Sequence, residues 1–280
     1  MFKRAVQGVL GRLGYRIVSL AQASAPVHAS GGGPSQQPSP PANGQNGTLY
    51  APVFDFDGLW NDPRVIHNHD FLTDPRFIRA YRRGIKAQGE DQKYYWRVHV
   101  ALWCASLAAK LPGDFVECGV WKGFLSSAIM DYLDWNSLSK KFFLFDTWCG
   151  IDESQVTDAE KRRLCLDHHR SNYVPNFAQA KANFQEYHNV IITKGSVPAT
   201  LRQVDIPRVA YLSIDMNNVT PELAAAEFFW DRIVPGGVVL LDDYGFVTYE
   251  EQKKGFNAFA KTKGVEILAL PTGQGLMVKT

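Results

Sequence analysis

The chain has 280 residues, 45% hydrophobic, 21% charged and 12% aromatic, an ordinary globular composition that excludes a collagen-like, mucin-like or wholly disordered protein. With 30 Lys+Arg against 28 Asp+Glu the formal net charge is +2, so nothing in the overall charge points to nucleic acid as a partner. Four cysteines (Cys104, Cys118, Cys149, Cys165) form no CxxC pair; they read as reduced thiols of a cytoplasmic protein rather than as zinc ligands or a disulfide scaffold. No uncharged apolar run approaches the roughly 18 residues that a membrane span requires.

Residues 1–23 place Val6, Val9, Leu10, Leu13, Ile17 and Leu20 at helical spacing, with Lys3, Arg4, Arg12 and Arg16 as the only charges, the pattern of a basic amphipathic helix. Arg12 and Arg16 interrupt the place where the apolar core of a signal peptide would sit. The functional readings of this helix are peripheral docking on an anionic inner-membrane surface or on a partner; against them stands a helix covering its own domain or a sister subunit in a homo-oligomer. Residues 24–47 are Gly, Pro, Ser, Gln and Asn-rich without Lys, Arg, Asp or Glu, a composition that cannot bury enough apolar surface to offset ordering entropy and reads as a flexible linker. Residues 48–112 are dense in aromatics and are expected to form a helical or lid segment packed on the catalytic domain. One helix starts at Asp74-Pro75 and another covers Asp91 to Leu111.

From 113 to 280 strands and helices alternate. Strands are predicted over 114–118, 141–146, 190–194, 208–215 and 237–242, and helices over 125–135, 177–187, 198–204, 221–233 and 249–262. Two final strands, 265–270 and 275–279, flank the turn at Pro271, Thr272 and Gly273. The alternation predicts an α/β fold: a mostly parallel seven-stranded sheet with helices on both faces and an antiparallel terminal hairpin. Ligands of such a sheet bind beyond the carboxyl ends of its strands at a topological switch point.

The strand ends carry the chemistry. DFVECGVWKGFLSS (114–127) runs from a strand through a glycine-containing turn into a helix; Gly119 and Gly123 permit close approach of a ligand, and Glu117 can accept hydrogen bonds from it. Val120, Trp121 and Lys122 separate the two glycines, so this is not the dinucleotide fingerprint G-x-G-x-x-G. FLFDTWCG (143–150) places Asp146 where a Rossmann-like sheet carries an acidic residue against ribose hydroxyls. The fourth and fifth strands, ending SIDMNN and LLDDYG, bring Asp215 beside Asp242 and Asp243. Three crowded carboxylates call for a hard divalent cation such as Mg²⁺, with Asn217 or Asn218 as a further oxygen donor, unless one Asp caps a helix and another faces solvent.

In that order and spacing VECGVWKG, FLFDTWCG, the Asp of SIDMN and the paired Asp of LLDDYGF resemble the macrocin O-methyltransferase type of S-adenosylmethionine-dependent, Mg²⁺-dependent sugar O-methyltransferases. The similarity spans about residues 90 to 280. It implies a Rossmann-like class I methyltransferase fold with S-adenosyl-L-methionine across the ends of the first strands. Carried over position by position, it implies Glu117, Gly119 and Gly123 around the methionine portion, Asp146 on the ribose, and Asp215, Asp242 and Asp243 on the metal. Trp121, Ser126 and Ser196 join the expected cofactor set. Well-known members act on deoxysugars of macrolides; here DMNNVTP stands where they carry GDxYxS, which leaves open whether the small-molecule or glycan acceptor is held in the same way.

A sugar hydroxyl is a poor nucleophile, so a cation on the three Asp is expected to bind two vicinal hydroxyls, acidify one and orient it. Asp215 and His169 of LDHHRSNY (166–173) are the candidates for the general base. The insertion 151–176 is long enough to shape an acceptor pocket, and Trp148 and Tyr244 are placed either against a ligand ring or in the core. His99 in VHVALW reads as a satisfied helix residue. Two rival readings are a nicotinamide-dependent oxidoreductase, disfavoured by the missing fingerprint, and a non-catalytic nucleoside-binding or scaffold protein.

Overall fold

The computed structural model describes residues 69–163, 173 and 176–280. The expected amino-terminal helix, the linker, the aromatic residues 49–68 and the histidine pair His168 and His169 lie outside the described residues.

Asp74 and Pro75 start the first helix as their chemistry dictates: the Asp74 carboxylate accepts from the Arg76 N–H at 2.8 Å, and Pro75 occupies a position whose N–H would be unpaired in any case. Helix α1 (Pro75–Gln88) ends at Gly89 in the left-handed conformation. Helix α2 (Tyr95–Ala108) is shorter at both ends than the predicted 91–111. Then follow β1 (Asp114–Cys118), α3 (Phe124–Tyr132), β2 (Phe142–Asp146), a short α4 (Asp158–Arg163), α5 (Phe177–Asn183), β3 (Val190–Lys194), β4 (Val209–Ile214), α6 (Val219–Trp230), β5 (Ile233–Leu241), α7 (Glu250–Lys263), β6 (Leu268–Ala269) and β7 (Gly275–Val278).

Strand order is β3-β2-β1-β4-β5-β7-β6. The first five strands are parallel, while β7 runs antiparallel to both β5 and β6. The order reverses between β1 and β4, so the switch point lies where Cys118 and Ile214 face each other. One core layer lies beneath α2 and α3 and includes Phe115, Leu144, Tyr211 and Leu240; the other includes Val116, Phe145, Leu212 and Leu241 with Phe229 and Phe256 from α6 and α7. Strand alternation makes the sites legible: Glu117 follows Phe115, Asp215 follows Tyr211 and Ser213, and Asp242 follows Val238 and Leu240, so all three carboxylates sit on the α2 face. The ladder continues past the strand ends, with the Asp215 N–H on Cys118 O at 2.8 Å and the Asp242 N–H on Ile214 O at 3.0 Å.

Several predicted elements are shorter or differently placed. The helix predicted over 198–204 is a single 3-10 turn, Leu201–Gln203, because Pro198 brings no N–H and Val204 is already extended. Helix α3 stops before Trp135, since Asp134 adopts φ +51°. β5 begins at Ile233, four residues ahead of the predicted start, with a register shift against β4 between Val209 and Tyr211 that absorbs Pro235-Gly236-Gly237. Of the predicted strand 265–270 only Leu268–Ala269 pairs.

Gly119 (φ +90°) is the tightest point of the sheet edge: a Cβ there would fall 1.7 Å from Asp215 O. Gly119→Ala therefore has to separate β1 from β4 or strain the turn, and the expected loss is about 3 kcal/mol or more, read as a lowered midpoint in urea unfolding.

Candidate functional site

A cavity of about 680 Å³ opens over the carboxyl ends of the parallel strands, a size that suits a small-molecule ligand. Its wall includes Glu117 within β1, Gly119 and Trp121 just after that strand, Asp146 at the end of β2, Ser196 after β3, Asp215 after β4, and Asp242 and Asp243 after β5. Gly123 and Ser126 do not line it; a Cβ on Gly123 would meet the Phe184 ring at 2.3 Å, and Ser126 is fully buried beside Glu117. Both glycines are required by the chain's own packing, and Gly119 also lines the cavity.

Asp146 is the organiser of the β1–α3 turn. Its Oδ2 accepts from the Val120 and Trp121 N–H groups at 2.6 and 2.7 Å, and its Oδ1 accepts from the Trp148 N–H at 2.5 Å. Trp121 is thereby held at φ +52°, and its carbonyl accepts from Trp148 Nε1 at 2.7 Å. Such non-glycine positive φ values survive only where surrounding bonds over-determine them. Trp148 and Tyr244 are buried and do not line the cavity; of the two placements open to them, both are core residues. His99 stacks on Phe71 with ring centroids 4.1 Å apart, in keeping with a structural role.

Glu117 is 3% exposed, its Oε2 has no hydrogen-bond partner in the protein, and it faces the cavity. Burial pushes its carboxyl up to about 8; the Ser126 hydroxyl acts in the opposite direction, and Asp242 and Asp146 add to the rise. An unmatched buried acceptor of this kind suits a cationic hydrogen-bond donor on a ligand.

Asp215, Asp242 and Asp243 offer carboxylate oxygens that all lie within 4.8 Å of one another. Asp215 is raised well above the usual carboxylate range by burial and by the neighbouring Asp242 and Asp243, with Arg97 opposing. Arg97 of α2 reaches across to place Nη2 2.7 Å from Asp242 Oδ2, 2.7 Å from Asp242 O and 3.9 Å from Asp243 Oδ1, while Gln274 Nε2 donates to Asp242 Oδ1 at 3.2 Å. The sequence reading missed Arg97; the available signal was a lone guanidinium inside the apolar run YYWRVHVALW.

The DMNNV loop that carries Asp215 is braced by two further buried carboxylates. Glu222 accepts from the Met216 N–H at 3.2 Å. Glu160 is fully buried, accepts from the Thr157 N–H at 2.9 Å and the Val219 N–H at 2.7 Å, and its own N–H donates to Thr157 Oγ1 at 3.2 Å. Thr157-Asp158-Ala159-Glu160 is a capping box, a signal that was present in the sequence. Asn217, at φ +62°, accepts from the Tyr249 hydroxyl at 2.8 Å. Tyr173 and Trp121 meet edge to face at 4.7 Å, and with Tyr94, Phe246 and Tyr249 they give the cavity an aromatic wall. At the β3 end Ser196 donates to Asp152 at 2.6 Å; the Ser154, Ser196 and Gln155 side chains together pull Asp152 down to about 2.

This strand order is that of a class I methyltransferase fold. The fold is shared with the O-methyltransferase NovP (TM-score 0.59, 21% identity, 71% of this chain and 89% of that one) and with CalS11, calicheamicin methyltransferase (TM-score 0.55, 14% identity, 86% and 99%). Residues 101–267 match the TylF macrocin-O-methyltransferase family, and the chain belongs to it. It is also 29% identical over 147 residues to the 8-demethyl-8-(2,3-dimethoxy-alpha-L-rhamnosyl)-tetracenomycin-C 4′-O-methyltransferase of Streptomyces olivaceus, a match covering 49% of this chain and 55%, about half, of that relative.

A pH prediction follows from Glu117. Its pKa is higher in the folded than in the unfolded chain, so its contribution to stability is complete below about pH 4.5 and is lost as pH rises through about 8. Melting temperature measured from pH 5 to 8.5 should therefore fall less steeply in Glu117→Gln than in the unsubstituted protein.

Proposed function

We propose that the protein transfers a methyl group from S-adenosylmethionine to a hydroxyl of a sugar or other vicinal-diol acceptor, at a site where Asp215, Asp242 and Asp243 hold a divalent cation. The observation that carries this reading is the carboxylate triad in the wall of the same cavity as the unmatched Glu117. The residues fit both groups: three closely set hard oxygen donors suit Mg²⁺, and an orphaned buried carboxyl suits the ammonium of a methionine moiety.

When bound, adenosylmethionine supplies an electrophilic methyl on a sulfonium and a divalent cation supplies Lewis acidity toward a hydroxyl. Glu117 accepts from the donor's cationic end. Asp146 offers about four acceptor positions; three are taken by backbone N–H groups, and the Thr147 hydroxyl, 3.4 Å from Oδ1, lies closer to Gly150 O at 2.6 Å, so about one position is open to a ribose hydroxyl. Gly119 lies with Glu117 at the methionine side, and Ser196 belongs to the opposite end of the donor. Asp215, partly buried beside Asp242 and Asp243 in the cavity wall, is placed to accept the hydroxyl proton as general base. The aromatic wall of Trp121, Tyr173 and Phe246 gives an acceptor ring an apolar face to lie against while its hydroxyls reach the triad. The sugar acceptor is supported further by the relative from Streptomyces olivaceus, whose name describes a rhamnosyl-tetracenomycin substrate.

Calorimetric titration with S-adenosylmethionine and S-adenosylhomocysteine, with Mg²⁺ and after chelation, tests the reading. Dissociation constants of about micromolar order support it, and absence of binding of both ligands under every condition overturns it. Asp242→Asn should lower metal-stimulated methyl transfer to a diol acceptor by about 100-fold or more; unchanged turnover in that variant removes the triad from the chemistry.

A further inference from the structure

Arg97 lies outside the 101–267 stretch that matches the family, on a helix that contributes otherwise apolar side chains to the core. It is 9% exposed, and its guanidinium stacks over Phe246 at 4.8 Å and Tyr94 at 5.4 Å. From that position one nitrogen meets both the main-chain oxygen and the Oδ2 of Asp242 at 2.7 Å. A guanidinium does not deprotonate in a protein, so the triad has a permanent monovalent cation at its edge.

The contact is made on an oxygen that the proposed divalent cation would use. Mg²⁺ sits about 2.1 Å from a ligating oxygen. An ion bound to Asp242 Oδ2 with Arg97 still in place would bring two positive centres within about 5 Å of each other in a buried setting, where like charges repel strongly. Either that repulsion lowers the affinity, or Arg97 must release Oδ2 when the ion enters. Both routes have the same thermodynamic sign.

We propose that Arg97 is the built-in competitor of the divalent cation: it holds the three carboxylates together while the ion is away and keeps ion affinity low. This inference rests on the metal reading given under Proposed function. It assigns Arg97 a positioning and affinity-setting role, not a part in the chemistry of methyl transfer. Weak intrinsic affinity has a functional consequence, since the ion is then retained best when an acceptor's hydroxyls add their own oxygen ligands.

The test is calorimetric titration of the full chain with Mn²⁺ and with Mg²⁺, paired with melting curves in chelator and in saturating ion. Arg97→Gln should bind the ion at least about tenfold more tightly than the unsubstituted protein. It should also melt lower in chelator and show a larger rise on ion addition. Arg97→Lys, which keeps the charge but loses the planar group stacked on Phe246, should also bind more tightly than the unsubstituted protein, by less; it carries the test alone where the glutamine variant does not fold. If the unsubstituted protein binds the ion and the variants bind it equally or more weakly, the competitor role is overturned and the metal reading stands. If neither the unsubstituted protein nor the variants bind either ion, the metal reading falls and this inference falls with it.

Discussion

Five carboxyl groups crowd the edge where four parallel strands end, and the arrangement around them answers the cost of burying like charges together. Each is accommodated by a different means. Asp146 spends its charge on three backbone N–H groups, which sets the β1–α3 turn. Asp242 is matched by Arg97 and Gln274. Glu117 and Asp215, with no such partners at full strength, are pushed toward their protonated forms by burial and by one another's neighbours. Asp243 lies at the fringe of the Arg97 guanidinium, 3.9 Å away.

The same constraint explains the local geometry. Gly119 and Asp215 touch closely enough to exclude any side chain, so the two strands that bracket the switch point converge at the site itself. Trp121 and Asn217 hold left-handed backbone on either side of that contact, each fixed by a hydrogen bond to a neighbouring element. Both residues line the cavity.

Much of this is legible in the sequence. Hydrophobic runs and turn residues located all seven strands, and strand alternation with the order of the Asp and Glu positions indicated which ends meet. Short-range chemistry was legible too: Asp74-Pro75 starts a helix as read. What the sequence concealed were contacts set by tertiary packing. Arg97 lies 145 residues before Asp242, and no local pattern pairs them. Trp148 and Tyr244 sit next to site motifs yet turn into the core, because the chain around them bends at positive φ or returns toward α7. The 3-10 turn at Leu201–Gln203 shows the limit of helical composition in a segment too short to sustain its own hydrogen bonds.

Glu160 ties together two segments that are distant in the chain. One carboxylate closes the capping box of α4 and also caps the start of α6, so the insertion and the DMNNV loop are mechanically one piece. An exchange of the insertion alone would remove the acceptor of the half-buried Val219 N–H. Residues 151–163 and 215–222 are therefore to be exchanged together if this bond is to be kept.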